Sequence, residues 1–264
     1  MSNDLSKLLA DWEFDPDDVT VRIIAGDDGR DKIQLRVDLG VLQMEMDGRP
    51  DGARPEQCES WLEYYEQQQQ AYDSEHPDSA PYLLGKEACA RLWREGVQYY
   101  HRYLSFWHLQ LFDLCTRDTQ RNLRLFAFVR GHVGDDRHKM QFDQWRPYVI
   151  MIHTRAVATP LVQKGQLSAA LSAIEVGIGQ IRDFLDEYNQ SHRAEECVEL
   201  IDLEHWHEEV LALKNEATTS KPKSPVDILR KQLDVAINEE RFEEAAKLRD
   251  RIRRLISGEQ EEGD

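Results

Sequence analysis

The sequence predicts a mainly α-helical protein, with a small N-terminal antiparallel β element packed on a helical body and a helical hairpin near the C-terminus. Apolar side chains recur every three or four residues through most of the chain after residue 56, which is the period of an amphipathic helix. Alternation of apolar and polar residues, the period of a strand, is confined to about residues 19–46. Between Val226 and Ile256, two helix-length apolar stripes flank a short charged break.

These patterns divide the chain into segments with different predicted structures. The segments are an N-terminal part with the β element (1–55), an α-helical body (56–214), a linker (215–224), a helical hairpin (225–257) and a disordered acidic tail (258–264). A chain of 264 residues is long enough for one large domain or two smaller ones, each with its own core.

The β element is predicted from two alternating runs, 19–25 and 33–39, which are joined by the turn residues 26–29. Gly40 marks a bulge or bend, after which the chain continues extended. The result is a two- or three-stranded sheet with one apolar face. Because an isolated hairpin is only marginally stable in water, we expect the sheet to lie on the helical part. The loop 47–55 that follows is predicted to be a surface connector, although its arginines could bind an anion or a carboxylate.

The helical body is predicted to contain a series of helices separated by Gly, Pro and polar residues. We expect helices from about residue 56 to the break at 74–81, over 85–115, over 117–130, from Pro147 to about Gln163, and over 194–214. Residues 131–139 are predicted to form a polar turn, and Pro160 is predicted to kink or end its helix.

Residues 164–171 resemble the turn between paired helices in tetratricopeptide-type repeats, so the next helix, through Ile174 and Leu185, is expected to pack back on its predecessor. Because no second copy appears at a fixed 34-residue period, a repeat array is not predicted.

The C-terminal hairpin has its apolar residues at the spacing of helix faces. The first helix contributes Leu229, Leu233, Ala236 and Ile237, and the second contributes Phe242, Ala245, Ala246, Leu248, Arg249, Ile252 and Leu255. The alanines let the two backbones approach closely, and Phe242 is predicted to anchor the turn end. A hairpin of this size buries too little to be very stable alone, so its apolar stripe is expected to pack on a partner, a second copy or the rest of the chain.

Together with Glu240, Glu243 and Asp250, those eleven residues resemble the UVR motif, the short helical hairpin of the B and C subunits of the bacterial excision nuclease, which also occurs in some protease-associated ATPases and their regulators. The resemblance covers about an eighth of the chain. It implies a bacterial protein whose hairpin residues bind a protein partner rather than catalyse a reaction. The partner that it implies is another UVR-containing protein, a protease-associated ATPase or a second copy of this chain, which would give a homodimer.

Composition argues against several other classes of protein. The formal charge of −17 opposes general nucleic-acid binding, which needs a basic face. The basic excess of residues 221–257 suits the C-terminal end of a helix dipole. No apolar run reaches the ~20 residues of a membrane span, and the N-terminus lacks the pattern of a secretory signal. We therefore expect a cytoplasmic protein, and the four separated cysteines are expected to be reduced.

The body carries no pattern typical of a catalytic or cofactor site, so we expect no enzyme, no cofactor and no metal. The strongest metal candidate is the run from Glu204 to Glu208, which includes His205 and His207. Histidines two positions apart on a helix point about 200° apart, so a solvated polar face is the favoured interpretation. His101 and His108 are expected to satisfy hydrogen bonds in the core.

Two groups of residues could instead contact nucleic acid or an acidic partner. An aromatic group, interleaved with arginines, comprises Trp93, Tyr99, Tyr100, Tyr103, Phe106 and Trp107, and its favoured interpretation is a core. An arginine group comprises Arg117, Arg121, Arg124 and Arg130, and a solvated face is favoured for it.

The sequence thus favours a non-catalytic adaptor or regulator, with a possible link to excision repair or protease quality control. One alternative is a small-ligand or metal sensor, or an enzyme, housed in the body, for which a pocket lined by His101, His108, Arg121 and tyrosines would be the sign. The second alternative is a nucleic-acid-binding protein.

Overall fold

A computed structural model describes residues 5–10, 12–220, 225–238 and 241–258. The chain divides into two compact units, Met1–Val210 and Leu211–Asp264. The described residues form ten α-helices and three strands, which confirms the prediction of a mainly α protein with a small antiparallel β element.

The elements follow one another along the chain with short connections. The strands are β1 (Val21–Ala25), β2 (Asp31–Val37) and β3 (Gly40–Glu45). The helices are α1 (Ser6–Leu9), α2 (Trp61–Glu75), α3 (Lys86–His108), α4 (Phe112–His132), α5 (Asp136–Asp143), α6 (Arg146–Gln163), α7 (Leu167–Glu187), α8 (Val198–Ser220), α9 (Pro225–Asn238) and α10 (Phe242–Gly258).

The sheet has the strand order β1-β2-β3, and both pairs of strands are antiparallel. Ile33 lies opposite Met44 in the register, and both side chains are buried together with Leu35 in the main core of the first unit. Leu39 was predicted to belong to the apolar strand, and this is wrong. It lies in the two-residue turn between β2 and β3 and is 88% exposed, because the pairing of Val37 with Gly40 closes the strand before it.

The predicted helix over 85–115 is in fact two helices. The backbone turns at Gln110, whose φ is +58°, and the Leu111 N–H donates to the Phe106 carbonyl at 2.9 Å. Apolar residues on both sides of this turn continue the same spacing, which is why the sequence pattern does not show the break. The predicted polar turn over 131–139 is also partly wrong, since α5 begins at Asp136. The side chain of Asp135 caps that helix by accepting from the Arg137 N–H at 2.9 Å.

Helices α6 and α7 form the predicted pair around residues 164–166. Pro147 lies in the first turn of α6, as expected, but Pro160 does not end the helix, which continues to Gln163. The two helices come very close where Gly177 faces Thr154, because a Cβ at Gly177 would overlap the Thr154 hydroxyl. Their shared core is buried and apolar, and it includes Ile174 and Ile181.

The main core of the first unit also holds charged groups. The Arg102 guanidinium donates from Nε and Nη2 to the two Asp118 oxygens at 2.6 and 3.1 Å, and both side chains are 1% exposed. Its Nη1 donates to the Glu45 carbonyl at the end of β3. A buried charge is tolerated when it is paired and fully hydrogen-bonded, so this pair ties the sheet to α3 and α4.

A second buried carboxylate, Glu95 on α3, organises the start of α2. Its oxygens accept from the Trp61 N–H at 2.7 Å and from the Leu62 N–H at 3.1 Å, while Arg121 pairs with it. A carboxylate at a helix N-terminus satisfies orphan N–H donors and complements the helix dipole. Arg49 also approaches Glu95, at 3.4 Å, and is buried. The interpretation of its loop as a mere surface connector is therefore wrong for Arg49, which binds carboxylates of this chain.

Helix α8 is longer than the sequence predicts. It runs to Ser220, so residues 215–220 of the predicted linker are helical. The threonines and the asparagine there have weak helix propensity, and the pattern alone therefore placed the end of the helix too early. The remaining linker residues, 221–224, and most of the predicted acidic tail, 259–264, lie outside the described residues.

Candidate functional site

The C-terminal hairpin has a small apolar core of its own. Val226 and Leu229 on α9 and Ile252 on α10 are each 8–9% exposed, and Leu233 and Leu248 pack against them. Residues early in α9 pack near residues late in α10, as expected of antiparallel helices. These side chains are thus used first to hold the two helices of the hairpin together.

Two alanines bring the helices together near the turn. Ala236 is 1% exposed and Ala245 is 9% exposed. The Arg241 N–H donates to the Ala236 carbonyl at 2.8 Å, and the Ala245 N–H donates to the Arg241 carbonyl at 2.9 Å, so α10 restarts directly after α9 ends. A larger side chain at either alanine would force the helices apart.

The remaining predicted partner-binding residues lie on the outside of the hairpin. Ile237 is 49% exposed and Leu255 is 39% exposed, and Ala246 and Arg249 are exposed as well. Phe242 begins α10, but its side chain lies outside the described residues. The ten predicted residues whose side chains are described therefore divide between the hairpin's own core and its solvent-exposed surface, and only the second group is accessible to a partner.

Sequence reasoning missed three further exposed apolar residues of the hairpin. Ile228, Val235 and Ile256 are 41–48% exposed. A groove of about 550 Å³ lies between the two helices at the end away from the turn, and its lining is Ile228, Leu229, Gln232, Arg251, Arg254 and Leu255. The sequence did contain a signal for Ile228 and Ile256, since each is adjacent to a residue of the predicted apolar stripe. The family pattern, however, emphasises the residues of the inward stripe.

Basic side chains border this apolar groove, which is called the hairpin groove below. Arg251 and Arg254 are exposed, and within the described part of the chain neither forms an ion pair. From Lys247 to the end of α10 the sequence holds five basic residues and one acidic residue, whereas the turn between the helices contains Glu239 and Glu240. The open end of the hairpin is therefore basic and the sequence at its turn is acidic.

Several residues in and next to the candidate metal-binding run on α8 contact other helices, whereas His205 lies 3.4 Å from Glu209 of the same helix. Asp202 accepts two hydrogen bonds from Arg155, at 2.8 and 2.6 Å. Glu204 accepts from Arg182, and His207 lies 3.2 Å from Glu175. In the described ranges there is no group of three or more potential ligands that could hold a metal ion.

The arginine group on α4 is also paired within the chain. Arg117 contacts Asp118 and Asp47, Arg121 contacts Glu95, Arg124 contacts Glu66, and Arg130 contacts Asp143 and Glu187. These cations neutralise carboxylates of their own unit, so they do not form a free basic patch. The aromatic group on α3 is largely core, as predicted, since Tyr99, Tyr103 and Phe106 are buried.

One cavity in the first unit, called the aromatic pocket below, partly matches the predicted sign of a ligand site. It has a volume of about 260 Å³ and lies among α3, α4, α5 and α6. Its lining includes His101 and tyrosines but neither His108 nor Arg121. Burial lowers the pKa of His101, and burial together with the neighbouring Tyr100, Cys115 and Glu199 raises the pKa of Tyr148 to about 12. Both groups are therefore neutral near pH 7.

The hairpin matches a known family. Residues 226–255 match the family model described as the UvrB/uvrC motif, UVR. The match confirms the resemblance predicted from the sequence, and its bounds coincide with α9 and α10 to within a few residues. Comparison of the chain with curated proteins and with solved structures gave no match. No helix in the described ranges is both long and apolar enough to cross a membrane.

Proposed function

Because residues 226–255 carry a UvrB/uvrC motif, we propose that this chain is a non-catalytic adaptor or regulator that binds a protein partner through the outer surface of its hairpin. The observation that carries the proposal is the apolar surface that the hairpin leaves exposed, of which Ile228 and Leu255 line the hairpin groove. Five large apolar side chains of a two-helix unit are about 40–50% exposed: Ile228, Val235, Ile237, Leu255 and Ile256. Burial of such side chains stabilises a complex by roughly 25 cal/mol per Å² of apolar surface before the costs of association.

The chemistry of the hairpin groove favours a partner helix or helical hairpin with acidic residues beside an apolar stripe. The groove between two helices accepts a third helix in the mode of helix-in-groove recognition. Arg251 and Arg254 would attract carboxylates at the edge of that stripe, because they have no internal ion-pair partner within the described residues.

A second UVR-type hairpin fits this description, and we propose it as the partner element. The acidic turn sequence with Glu239 and Glu240 complements the basic open end of another copy when two hairpins meet head to tail. The carrier of the second hairpin is then another molecule of this chain, an excision-nuclease subunit or a protease-associated ATPase. We propose a bacterial cytoplasmic setting for this interaction.

The test measures binding of the purified full chain to three purified probes: itself, a UVR-bearing excision-nuclease subunit and a protease-associated ATPase. Sedimentation velocity reports self-association, and calorimetry reports the other two. We expect saturable binding to at least one probe and a loss of roughly thirtyfold or more for Leu255→Asp, since a desolvated charge at the centre of an interface costs about 2 kcal/mol or more.

The matched control is Leu39→Asp, which introduces the same charge at an apolar residue that is fully exposed in the first unit. It should leave every affinity unchanged. If no probe binds, or if Leu255→Asp binds as the unaltered chain does, the hairpin surface is not the docking site and the proposal fails.

A further inference from the structure

The aromatic pocket is lined almost entirely by rings. Its aromatic lining residues are Trp93, Tyr100, Tyr103, Phe126, Phe142, Trp145 and Tyr148. Several of them hold one another at edge-to-face angles, such as Trp93 against Phe142, with ring centroids 5.4 Å apart. Phe142 and Tyr103 are 1% exposed and form the floor, whereas Trp145 is 50% exposed and stands at the mouth. Such a wall presents ring faces and edges to whatever enters.

The size of the pocket limits the ligand to one or two rings. A dry apolar cavity of about 150 Å³ is large enough to bind benzene, and this pocket has a volume of about 260 Å³. A fused two-ring compound therefore fits, whereas a nucleotide or a long acyl chain would extend far into solvent.

The polar groups of the pocket are few, and the lining includes no carboxylate, lysine or arginine. Asn122 is already engaged, because its Nδ2 donates to the Gly96 carbonyl at 2.9 Å and its Oδ1 accepts from Arg121. No hydrogen bond to the ring of His101 is found within the described residues. A neutral imidazole offers one donor and one acceptor, which suits a single hydroxyl or N–H group on a ligand. A charged ligand would lose its hydration without gaining a counter-ion.

Gly96 keeps the space open. It is a buried residue in the middle of α3, where glycine costs about 0.5–1 kcal/mol relative to alanine. A Cβ built at Gly96 would have one neighbour, a Leu125 methyl group at 4.0 Å. Close packing around this position therefore does not require a glycine. What the glycine preserves is the volume of the pocket, since Gly96 is one of its lining residues.

We propose that the aromatic pocket is a binding site for a neutral one- or two-ring aromatic compound that carries a single hydroxyl or N–H group. The rings of α3, α4, α5 and α6 enclose the ligand, and His101 is the hydrogen-bond partner of its polar group. This site is independent of the hairpin and adds a small-molecule ligand to the proposed adaptor.

The test is calorimetric titration of the full chain with indole and with phenol as probes, at pH 7.5. We expect saturable binding with a Kd below about 1 mM for at least one of them. Indole-3-acetate and tryptamine, which carry a charge on the same ring system, should bind at least tenfold more weakly. Equal binding of the charged and neutral compounds, or no saturable heat with either neutral probe, overturns the proposal.

Variants that fill the pocket separate specific binding from general adsorption. Gly96→Leu should weaken indole binding at least tenfold, whereas Gly179→Leu, a helical glycine on α7 with no neighbouring atom within 4 Å, should leave it unchanged. Because Gly96→Leu could disturb folding, Val97→Trp at the same lining provides a second filled variant. Circular dichroism establishes that each variant is folded, and a folded filled variant with unaltered affinity contradicts the proposal.

A separate experiment tests the role of His101 as a hydrogen-bond partner of the ligand. His101→Leu should weaken the binding of indole but not that of toluene, which has no polar group. An equal loss for both ligands would mean that His101 acts only as part of the wall, and the assignment of its hydrogen bond would be wrong.

Discussion

The two units of this chain differ in where their charged and apolar side chains lie. In the first unit, Arg102, Glu95 and Asp118 are each 1% exposed and lie among aromatic rings. In the hairpin, every charged side chain that the structure describes is exposed, and large apolar side chains are exposed beside them. The comparison indicates that the first unit buries and pairs charged side chains in its core, whereas the charged side chains of the hairpin lie at its surface beside apolar side chains whose burial can still stabilise a complex.

The largest expected effect is in the buried ion pair of the first unit. Asp118→Ala leaves the Arg102 guanidinium buried without its carboxylate and should lower the free energy of unfolding by about 3–5 kcal/mol. Urea denaturation followed by circular dichroism measures the loss. The matched control is Glu204→Ala, which breaks the exposed pair with Arg182 and should cost less than ~1 kcal/mol. Equal losses of unfolding free energy in the two variants would mean that burial does not determine how much each ion pair contributes to stability.

A second prediction separates two neighbouring aromatic residues on α3. Phe106 is fully buried, so Phe106→Ala should cost about 3–5 kcal/mol. The sequence placed Trp107 in the same predicted core group as Phe106, but Trp107 is only partly buried at the edge of the core. Trp107→Ala should therefore cost clearly less than Phe106→Ala in the same urea titration. A larger loss of stability for Trp107→Ala would show that the ring at the edge of the core contributes more to packing than the buried ring.

The hairpin should respond more weakly and more locally. Ile252→Ala removes a side chain from its small core and should cost about 2 kcal/mol, the low end for an Ile→Ala change, because few atoms surround the site. Hydrogen exchange of the α9 and α10 amides measures this local stability. Ile256→Ala, at an exposed position on the same helix, should change exchange by less than ~0.5 kcal/mol. Similar losses for both variants would contradict the division between core and outer surface.

The smallest expected effect is a pH dependence of the first unit. Burial lowers the pKa of His101 below the ordinary value of 6.5, and burial likewise lowers the pKa of His153, although a hydrogen bond from the His153 ring to the Thr116 backbone carbonyl opposes that shift. Since the unfolded chain then takes up protons more readily than the folded chain, stability is fully present above about pH 6.5 and falls as the pH drops below it. Melting midpoints at pH 8 and pH 5.5 measure the change.

The control for this pH dependence is a double variant, His101→Gln with His153→Gln, which should reduce the difference between the two midpoints. An unchanged difference would assign the pH dependence to the many carboxylates of the chain instead.

The hairpin could be predicted from sequence because the residues that specify it lie close together along the chain. The apolar spacing from Leu229 to Leu255 specifies two helices, and the family match confirms them. The β element was predicted for the same reason, except at Leu39, where an apolar residue occupies a turn. Which hairpin residues face outward was harder to predict, because both Leu229 and its neighbour Ile228 are apolar and only the packing of α10 decides between them.

The interior of the first unit could not be predicted in the same way. The arginines of α4 looked like a solvated face because their carboxylate partners lie far away in sequence: the partner of Arg121 is Glu95 on α3, and that of Arg124 is Glu66 on α2. The aromatic pocket likewise depends on the distance between helices that the sequence does not encode locally. His101 was singled out, but its companions on α5 and α6 were not.

The contact between Gly177 and Thr154 limits how the first unit can move. Since not even a methyl group fits between them, the Thr154 side chain of α6 lies directly against the α7 backbone at Gly177. Helix α6 also supplies Tyr148 and Val149 to the wall of the aromatic pocket. A shift of that wall towards α7 would press Thr154 against the α7 backbone, so the close contact couples the position of α7 to the shape of the pocket.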